Sequence, residues 1–506
     1  MTIHLSILIF WPLVFAVIGA FMPRQVAPVF ALVGALVPLG YAVLILLDFD
    51  TGARGLQYAT DDLWIADLGV HYKLGVDGLN LWLVALTALL FAASALWLTL
   101  RPPVRASQFA LHFGIGETAV LGAFLAQDLA LFVLFFDLML VPFYFLVGIW
   151  GGRDRIAAAV KMVVYTLVGS LLMLAAAGAT AVLAARDGED LSFAFSDLAA
   201  NRLPDSTQKW IFIAFALAFL IKMPSFPFHG WMPDAYRAMP LPALAVFSGA
   251  VSKVAAYGFL KIALPLFPAA AHDFQVVLLV LAVVSILYGS VMAFTQTNVR
   301  LILGYSSMAQ LGFITLGIFA ADNAAAGAQG GLLQAVNHGL VVAPMFFVVA
   351  LLAERVGSEE LRDMGGLALR APVLAALALI VTFGVLAMPG SSNFIGEFLI
   401  LLGVFESKIV FAFVASTGVV LAAVYALRLF ILAFHNNRGV EGVGGDRFRE
   451  ISLRDSFVLV PLVLVIIALS LYPQLALHRS ERSATESVAA AQAIQTGEPA
   501  ASRESP

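Results

Sequence analysis

Residues 219–233 read FLIKMPSFPFHGWMP and end a long apolar run with a combination that an ordinary membrane helix does not contain. Lys222 stands where another apolar residue is expected, Pro224 and Pro227 follow it, and His229 comes directly after them. Proline breaks a helix by removing a backbone hydrogen bond, which frees carbonyl groups for water. An amine, a helix break and a histidine within eight residues therefore predict a titratable, hydrated point inside an apolar protein.

The composition indicates a polytopic membrane protein. Of the 506 residues, 61% are hydrophobic and 12% are charged, with a mean hydropathy of +0.96. A soluble protein has about 25% charged residues. The absence of cysteine excludes disulfides, thiolate metal sites, iron–sulfur ligation and cysteine nucleophiles within this chain. The net charge of −4 does not indicate a nucleic-acid partner.

The apolar runs predict an all-α fold with about fourteen transmembrane helices, because each run is close to the ~20 residues that cross a bilayer. The longest run carries MPGSSNF near its middle and is interpreted as one broken helix. The tail from residue 479 is rich in Ala, Ser and Glu, which predicts a disordered extension. The predicted spans are 3–22, 28–47, 78–100, 109–126, 129–149, 157–184, 209–232, 241–264, 274–294, 299–320, 328–353, 371–403, 408–434 and 455–473.

The loop charges support this topology. Loops after odd-numbered spans carry fourteen arginines, whereas loops after even-numbered spans carry six basic residues and two long acidic segments, 48–77 and 185–208. Cytoplasmic loops carry the excess of Lys and Arg in membrane proteins. The pattern therefore places the odd-numbered loops in the cytoplasm and both termini on the outer face.

An internal repeat recurs at a spacing of 165 to 169 residues. Both Met-Pro pairs interrupt a long span, and the offset maps spans four to eight onto spans nine to thirteen. Because five is an odd number, the second copy must be inverted in the membrane, which is typical of transport proteins with a pathway at the midplane. The matching pairs are Met223-Pro224 with Met388-Pro389, Gly148-Ile149 with Gly317-Ile318, and Tyr257 with Tyr425.

The repeat divides the chain into five regions. They are the N-terminal spans over residues 1–108, a first repeat over 109–264, a second repeat over 274–434, a loop and last span over 435–478, and the tail over 479–506.

Several charged residues lie inside the predicted spans, where a central charge costs roughly 2.5–3.5 kcal/mol. Lys161 and Lys261 lie near span ends and can extend to the interface, and Arg428 lies close to a polar loop. The remaining charges need another reason. They are Asp137 in span five, Lys222 in span seven, Lys253 in span eight and Glu397 in span twelve, together with Glu117 in span four.

Proton relay is the chemistry that fits these residues. Burial disfavours the charged form of an amine and a nearby carboxylate favours it, so a carboxylate that moves relative to Lys222 would change the proton affinity of that amine. The alternative for Asp137 and Lys222 is a structural ion pair. His229 and His338 are candidates to extend the relay, or are histidines held by a neighbouring hydroxyl or carbonyl. Glu117 stands at the entrance of a half-channel or pairs with a loop arginine.

Four stretches resemble the antiporter-like membrane subunits of respiratory complex I, the proton-pumping NADH:quinone oxidoreductase. They are FFDLMLVPFYFLVGIWGG, KMVVYTLVGSLLML, FLIKMPSFPFHGWMPDA and MPGSSNFIGEFLILLG, and the resemblance covers roughly residues 75–435. The acidic Glu397 in NFIGEF is similar to the M type, whereas the L type has lysine at that position.

The resemblance implies fourteen helices with two inverted five-helix repeats, each containing a broken helix. It implies that Asp137 and Lys222 are partners, that Lys253 is the central lysine, that Glu397 faces the exit and that Glu117 is the second acid. It also implies partner subunits of the L and N types, with flavin mononucleotide, iron–sulfur clusters and quinone held by partner subunits and not by this chain. The expected location is the bacterial inner membrane, with the termini on the periplasmic face.

The chain departs from the family pattern at several positions. Asp137 stands where the family usually has Glu, which withdraws the carboxylate by about 1.5 Å, one carbon–carbon bond. Gln310 in SSMAQLGF and Tyr236 in PDAYRAMPLP each replace a histidine, and the Thr or Ser that usually follows the second is lost. Because glutamine does not titrate near neutral pH, water must fill that role or the route must run elsewhere.

These features predict a proton-translocating subunit of a redox-driven translocase that carries out no redox chemistry itself. Two alternatives use the same helices: a cation/proton antiporter subunit of the Mrp type, and a membrane subunit of a hydrogenase-type complex. A passive structural spacer is the third, and the retained buried charges argue against it.

Overall fold

The computed structural model describes residues 4–185, 190–320, 325–435 and 450–496. Within these ranges, eleven helices are long and apolar enough to cross a membrane unbroken. These are α2 (Ala27–Asp48), α3 (Leu81–Leu100), α4 (Ala106–Leu125), α5 (Leu129–Trp150), α6 (Arg155–Ala184), α8 (Leu241–Leu266), α9 (Gln275–Thr295), α10 (Val299–Phe319), α11 (Ala325–Val356), α13 (Ile409–His435) and α14 (Leu453–Leu471).

Three further segments complete the fourteen predicted helices. The short α1 precedes the others, and the fourth helix of each repeat is interrupted. Their bounds are Leu5–Ala20 for α1, Asp205–Lys222 with Met232–Ala238 for α7, and Pro372–Val385 with Ser392–Ser407 for α12. The predicted fold class is therefore confirmed: an all-α membrane protein whose helices α4–α8 and α9–α13 form the two inverted repeats. The division of the chain into five regions stays a prediction.

The two helix breaks lie at the two Met-Pro pairs. The first half of α7 ends at Lys222, and the chain returns through a 3-10 turn at Phe228–Trp231, where the Trp231 indole donates to the Ile221 carbonyl at 3.0 Å. The break in α12 contains Ala387 at φ 50° and Gly390 at φ 90°, both in the left-handed region. The break predicted within the span 209–232 is therefore present, because proline at position 224 cannot continue the backbone ladder.

A β-hairpin fills the long loop after α2. Strands β1 (Gln57–Ile65) and β2 (Val70–Val76) pair antiparallel, and Asp61 forms ion pairs with Lys73 at 2.8 Å and with His71 at 2.7 Å. The acidic character of this loop is thus partly neutralised within the hairpin.

The prediction of a disordered tail from residue 479 is wrong for the described residues. Helix α15 spans Gln474–Thr496. Ala476, Ser480 and Ala484 recur every fourth residue and are buried, so a stripe of small residues packs the helix against the protein despite its polar composition. Residues 497–506 lie outside the described residues.

Helices α8, α10 and α11 form the interior of the molecule, since the central windows of all three are fully buried inside the chain. Gly249 of α8 and Gly339 of α11 face each other, and a Cβ atom added to Gly339 would collide with the Gly249 carbonyl oxygen. This close approach brings the midpoints of α8 and α11 together.

We expect Gly339→Val to destabilise the protein by about 3 kcal/mol, because the contact is with backbone, which cannot give way as a flexible side chain does. The measurement is the midpoint of thermal unfolding of the purified complex, with the amount of chain recovered from membranes as a second readout. Gly40→Val is the matched control, since Gly40 has no atom within 4 Å of an added Cβ. Equal stability of the two variants would contradict the expectation.

Candidate functional site

Lys222 ends the first half of α7 and is almost completely buried. Its ammonium donates to the Phe136 carbonyl at 3.4 Å and lies 4.6 Å from the centroid of the Phe136 ring. Asp137 is the next residue along α5, and its charge interacts with that of Lys222 through space. Within the described residues the two side chains do not form an ion pair, and Asp137 Oδ1 has no hydrogen-bond partner. The Asp137 carboxylate therefore does not reach the Lys222 ammonium, which contacts the Phe136 carbonyl and ring instead.

Lys253 lies in the middle of α8 with no exposed surface. A π-helical segment, Phe247–Val251, precedes it and widens the helix. The Lys253 ammonium donates to the Ser248 carbonyl at 2.5 Å, to Ser252 Oγ at 3.1 Å and pairs with His338 Nδ1 at 2.9 Å. Because an ammonium only donates, Nδ1 accepts and the neutral ring carries its hydrogen on Nε2. Lys253 and His338 are therefore in direct contact, as an extension of the relay to His338 requires.

Glu397 is held by two glutamines on the far side of His338. Gln310 Nε2 donates to Glu397 Oε1 at 2.7 Å, and Gln334 Nε2 donates to Gln310 Oε1 at 2.6 Å. All three side chains are buried. Gln334 precedes His338 by four residues on α11, which places both on one face of that helix. We call Lys253, His338, Gln334, Gln310 and Glu397 the polar axis.

Hydroxyl groups flank the polar axis. Ser248 Oγ and Ser307 Oγ are 3.2 Å apart, and Ser306 Oγ donates to the Tyr425 hydroxyl at 2.8 Å. Neither these serines nor Gln334 are among the residues predicted from the sequence. The sequence did contain a sign of Gln334: it lies one turn before His338 in an apolar helix, and a buried polar side chain needs a hydrogen-bond partner.

The break in α12 adds buried polar atoms beside Glu397. Asn337 Nδ2 donates to the Ser392 carbonyl at 2.7 Å and so joins α11 to the start of the second half of α12. Several polar atoms here are buried and have no hydrogen-bond partner in the described part of the chain: the hydroxyls of Ser391 and Ser392, both ends of the Asn393 amide, and Asn337 Oδ1. Buried polar atoms of this kind are the usual binding sites of internal water.

Besides Asp137 and Lys222, two further predicted residues lie apart from the polar axis. Glu117 is buried in α4, its Oε1 has no hydrogen-bond partner, and no ion pair to a loop arginine is present among the described residues. His229 is partly buried, with its ring centroid 5.0 Å from that of Tyr288 and 5.9 Å from that of Phe226. Neither side chain shares a hydrogen bond with the polar axis, so their assignment to the relay stays a prediction.

The charges near the span ends have local partners. Lys161 pairs with Asp234 at 2.8 Å in an exposed position, as expected for a lysine that reaches the interface. Arg428 donates to the Gln296 carbonyl at 3.0 Å. Lys261 differs from the expectation, because it forms a 2.6 Å ion pair with Asp77 in which both side chains are largely buried.

Comparison with known proteins extends these observations. The family model described as "NADH:quinone oxidoreductase/Mrp antiporter, TM" matches residues 126–422. The chain is 34% identical to NADH-quinone oxidoreductase subunit M of Rhodobacter capsulatus over 487 residues, 93% of each chain. It is 35% identical to subunit M of Escherichia coli K12 over 425 residues, covering 83% of this chain and 82% of that protein.

Solved structures agree. A chain of respiratory complex I from Thermus thermophilus with bound NADH superimposes with a TM-score of 0.86 at 30% identity, covering 96% of this chain and 100% of that one. A chain of the Mrp complex from Dietzia sp. superimposes with a TM-score of 0.82 at 22% identity, over 97% and 98% of the two chains, and therefore shows a shared fold alone. The broken helices, the buried lysines and these relatives together place the chain in one family: it belongs to the multi-pass membrane subunits named NADH-quinone oxidoreductase subunit M.

Proposed function

We propose that this chain carries protons across the membrane along the polar axis, as a subunit of an NADH-quinone oxidoreductase whose quinone reduction takes place in partner subunits. The observation that carries the proposal is the pair of contacts within the fully buried interior, from Lys253 to His338 and from Gln334 through Gln310 to Glu397. Titratable groups buried in a membrane protein are energetically costly, and those that persist commonly mark ion or proton pathways.

The first step takes place at Lys222. Its ammonium rests on the Phe136 carbonyl and ring, with the Asp137 carboxylate close but not in contact. A movement of α5 that brings the carboxylate to the amine stabilises the ammonium, and the reverse movement favours release of the proton. The break after Lys222 supplies free backbone groups at which water can carry that proton onward.

The second step takes place at the Lys253–His338 pair. Lys253 gives a proton to His338 Nδ1, and the imidazolium then releases the proton on Nε2, so the ring passes one proton and returns to the neutral form. The 2.9 Å contact between the two nitrogens is within hydrogen-bond distance, as this transfer requires.

The third step ends at Glu397. Gln310 and Gln334 do not titrate, but their amide groups hold the Glu397 carboxylate toward α11. We propose that water at the buried polar atoms of Asn337, Ser392 and Asn393 connects His338 to Glu397. Water thereby takes the role of the histidine that Gln310 replaces.

The wider setting follows from the same proposal. The 34% and 35% identities to subunit M proteins support other subunits of a complex I as the partners, with L-type and N-type antiporter-like neighbours beside this chain. Flavin mononucleotide, iron–sulfur clusters and quinone belong in this proposal to partner subunits. The location is the bacterial inner membrane with the termini on the periplasmic face. An Mrp-type antiporter is less well supported, at 22% identity.

Lys222→Ala tests the proposal. We expect NADH-driven acidification of inverted membrane vesicles and quinone-linked NADH oxidation to fall together, by about 100-fold, because a proton carrier is removed from the route. NADH–ferricyanide activity, which does not need the membrane route, serves as the internal control and should stay unchanged. Acidification at the wild-type rate in the Lys222→Ala strain would overturn the proposal.

We expect Asp137→Glu to preserve or increase proton pumping. The added methylene extends the carboxylate by about 1.5 Å, one carbon–carbon bond, so it can approach the Lys222 ammonium more closely and favour an ion pair. The measurement is again the rate of vesicle acidification, divided by NADH–ferricyanide activity. Asp137→Asn is the matched control, since it keeps the size of the side chain and removes the charge, and we expect it to lower the rate. Equal loss in both variants would refute the role of the carboxylate.

A further inference from the structure

We propose that a second branch leads from the polar axis to the face that carries the β-hairpin, from Lys253 through the Tyr257 hydroxyl to the Asp77–Lys261 ion pair, and opens into a cavity beneath α15. This inference rests on the proposed function, because the branch conducts the protons that reach Lys253. The branch would give protons an exit at a cavity that is formed jointly by the hairpin loop, the end of α8 and α15.

The cavity lies where the hairpin loop, the end of α8 and α15 meet. It has a volume of about 350 Å³, which is room for several water molecules. Its wall is polar on several sides and includes Asp77, Gln127, Ala199, Lys261, Arg479 and Ser483. Helix α15 packs closely against one wall of the cavity, since the Gly78 amide donates to Ser483 Oγ at 3.0 Å and a Cβ atom at Gly78 would collide with the Arg479 carbonyl.

The Lys261 and Asp77 side chains form an ion pair in the cavity wall, and both are largely buried. Lys261 Nζ lies 2.6 Å from Asp77 Oδ2, with 16% and 11% of the two side chains exposed. Asp77 Oδ1 accepts the Leu79 and Asn80 amides and so holds the turn that leads into α3. Such a turn needs no amine, and taking the amine out of water is costly. In the proposed branch the Lys261 ammonium favours the charged form of the Asp77 carboxylate and so promotes release of the proton from Asp77 to the cavity.

Tyr257 stands between this pair and the polar axis. The side chain is fully buried, and among the described residues its hydroxyl forms no hydrogen bond of regular geometry. The side chains of Asn80 and Gln127 are its polar neighbours, and the charge of Asp77 acts on it through space. Lys253, Tyr257 and Lys261 follow one another at four-residue spacing along α8, so they share one side of the helix. Between Lys253 and Tyr257 the α-helix rises about 6 Å, and Lys261 lies in a second π-helical stretch, Phe259–Ala263. The branch therefore needs at least one water between Lys253 and the Tyr257 hydroxyl.

The transfer balances at each step. The Lys253 ammonium turns one N–H away from the Ser252 hydroxyl toward water and gives that proton, through the water, to the oxygen of the Tyr257 hydroxyl, which releases its original proton toward Asp77. The neutral Lys253 amine is charged again by the next proton that reaches it. The protonated Asp77 then passes that proton to water in the cavity, and the tyrosine and the carboxylate return to their starting forms.

The first test removes a single oxygen. We expect Tyr257→Phe to lower NADH-driven acidification by reconstituted complex about tenfold, because the hydroxyl is a positioned proton carrier. Tyr144→Phe, on a partly exposed face of α5, is the matched control and should acidify at the wild-type rate.

The second test blocks the cavity without touching the relay. The chain has no cysteine, so Ala199→Cys provides one thiol in the cavity wall, and the exposed Ala200→Cys provides a neighbouring thiol outside it. Each purified complex is labelled with a bulky, charged maleimide or with a small methylthio group before reconstitution. We expect only the bulky label on Ala199→Cys to reduce acidification by more than half, relative to wild-type complex labelled in the same way.

Lys253→Met separates the two proposals. Loss of acidification in Lys253→Met, together with full acidification by the bulky-labelled Ala199→Cys complex, would overturn the branch and leave the polar axis standing. Wild-type acidification in Lys253→Met would overturn the proposed function itself.

Discussion

Replacement of Lys253 by methionine is expected to lower quinone-linked NADH oxidation by about 100-fold, the size of effect that a positioned proton donor has in catalysis. Methionine has nearly the length of lysine but no hydrogen to donate. The Ser248 carbonyl, Ser252 Oγ and His338 Nδ1 would all lose their shared donor within a fully buried site. The proton route would then end before the imidazole.

The Lys253→Met experiment measures quinone-linked and ferricyanide-linked NADH oxidation in the same membranes. Ferricyanide activity reports whether the complex is assembled, and it should remain near the wild-type value. Lys161→Met is the matched control, because Lys161 forms an exposed ion pair with Asp234 at a helix end and should be dispensable. A Lys253→Met complex with wild-type quinone-linked activity would show that the buried amine is not needed.

Replacement of Gln310 by leucine is the second large expected effect. Gln310 alone contacts both Glu397 and Gln334 at short distance, and leucine has a similar volume without the amide. Hydrogen bonds to charged groups contribute about 1.5–3 kcal/mol each, so the loss leaves a buried carboxylate poorly held. We expect a decrease of about tenfold in quinone-linked NADH oxidation, since about 1.36 kcal/mol corresponds to a factor of ten in rate.

Gln310→His is the matched variant for this position. An imidazole can donate to Glu397 and can also titrate, as the family's usual histidine does, so its activity should equal or exceed that of the wild type. The comparison is made as quinone-linked NADH oxidation divided by ferricyanide activity. If leucine and histidine lower the ratio equally, the amide contact to Glu397 has no special role.

The apolar pattern predicted the fourteen helices and both breaks, because span length and proline act locally and are readable from the sequence. The same reasoning did not predict the β-hairpin or α15. Polarity predicted disorder from residue 479, yet Ala476, Ser480 and Ala484 form a narrow buried stripe that mean composition does not register. Packing onto a preformed surface decides such a helix.

The sequence predicted which titratable residues belong to the candidate site. It did not predict the hydrogen bonds that connect them. The energetic cost of burying charge singled out Lys222, Lys253 and Glu397. Their partners depend on which helices meet, and Gln334 joins Gln310 only because α10 and α11 pack side by side. The separation of Asp137 from Lys222 likewise depends on how α5 is placed against α7, which cannot be read from the spacing of residues in the sequence.

The most direct test of the central claim is proton transport by purified complex in sealed liposomes, measured with a pH-sensitive dye during NADH oxidation by an added quinone. Wild-type and Lys253→Met complexes are compared at equal ferricyanide activity, with an uncoupler added at the end of each trace. We predict a pH change that the uncoupler abolishes in the wild type and almost none in Lys253→Met. A Lys253→Met complex that moves as many protons per NADH as the wild type would contradict proton transport along the polar axis.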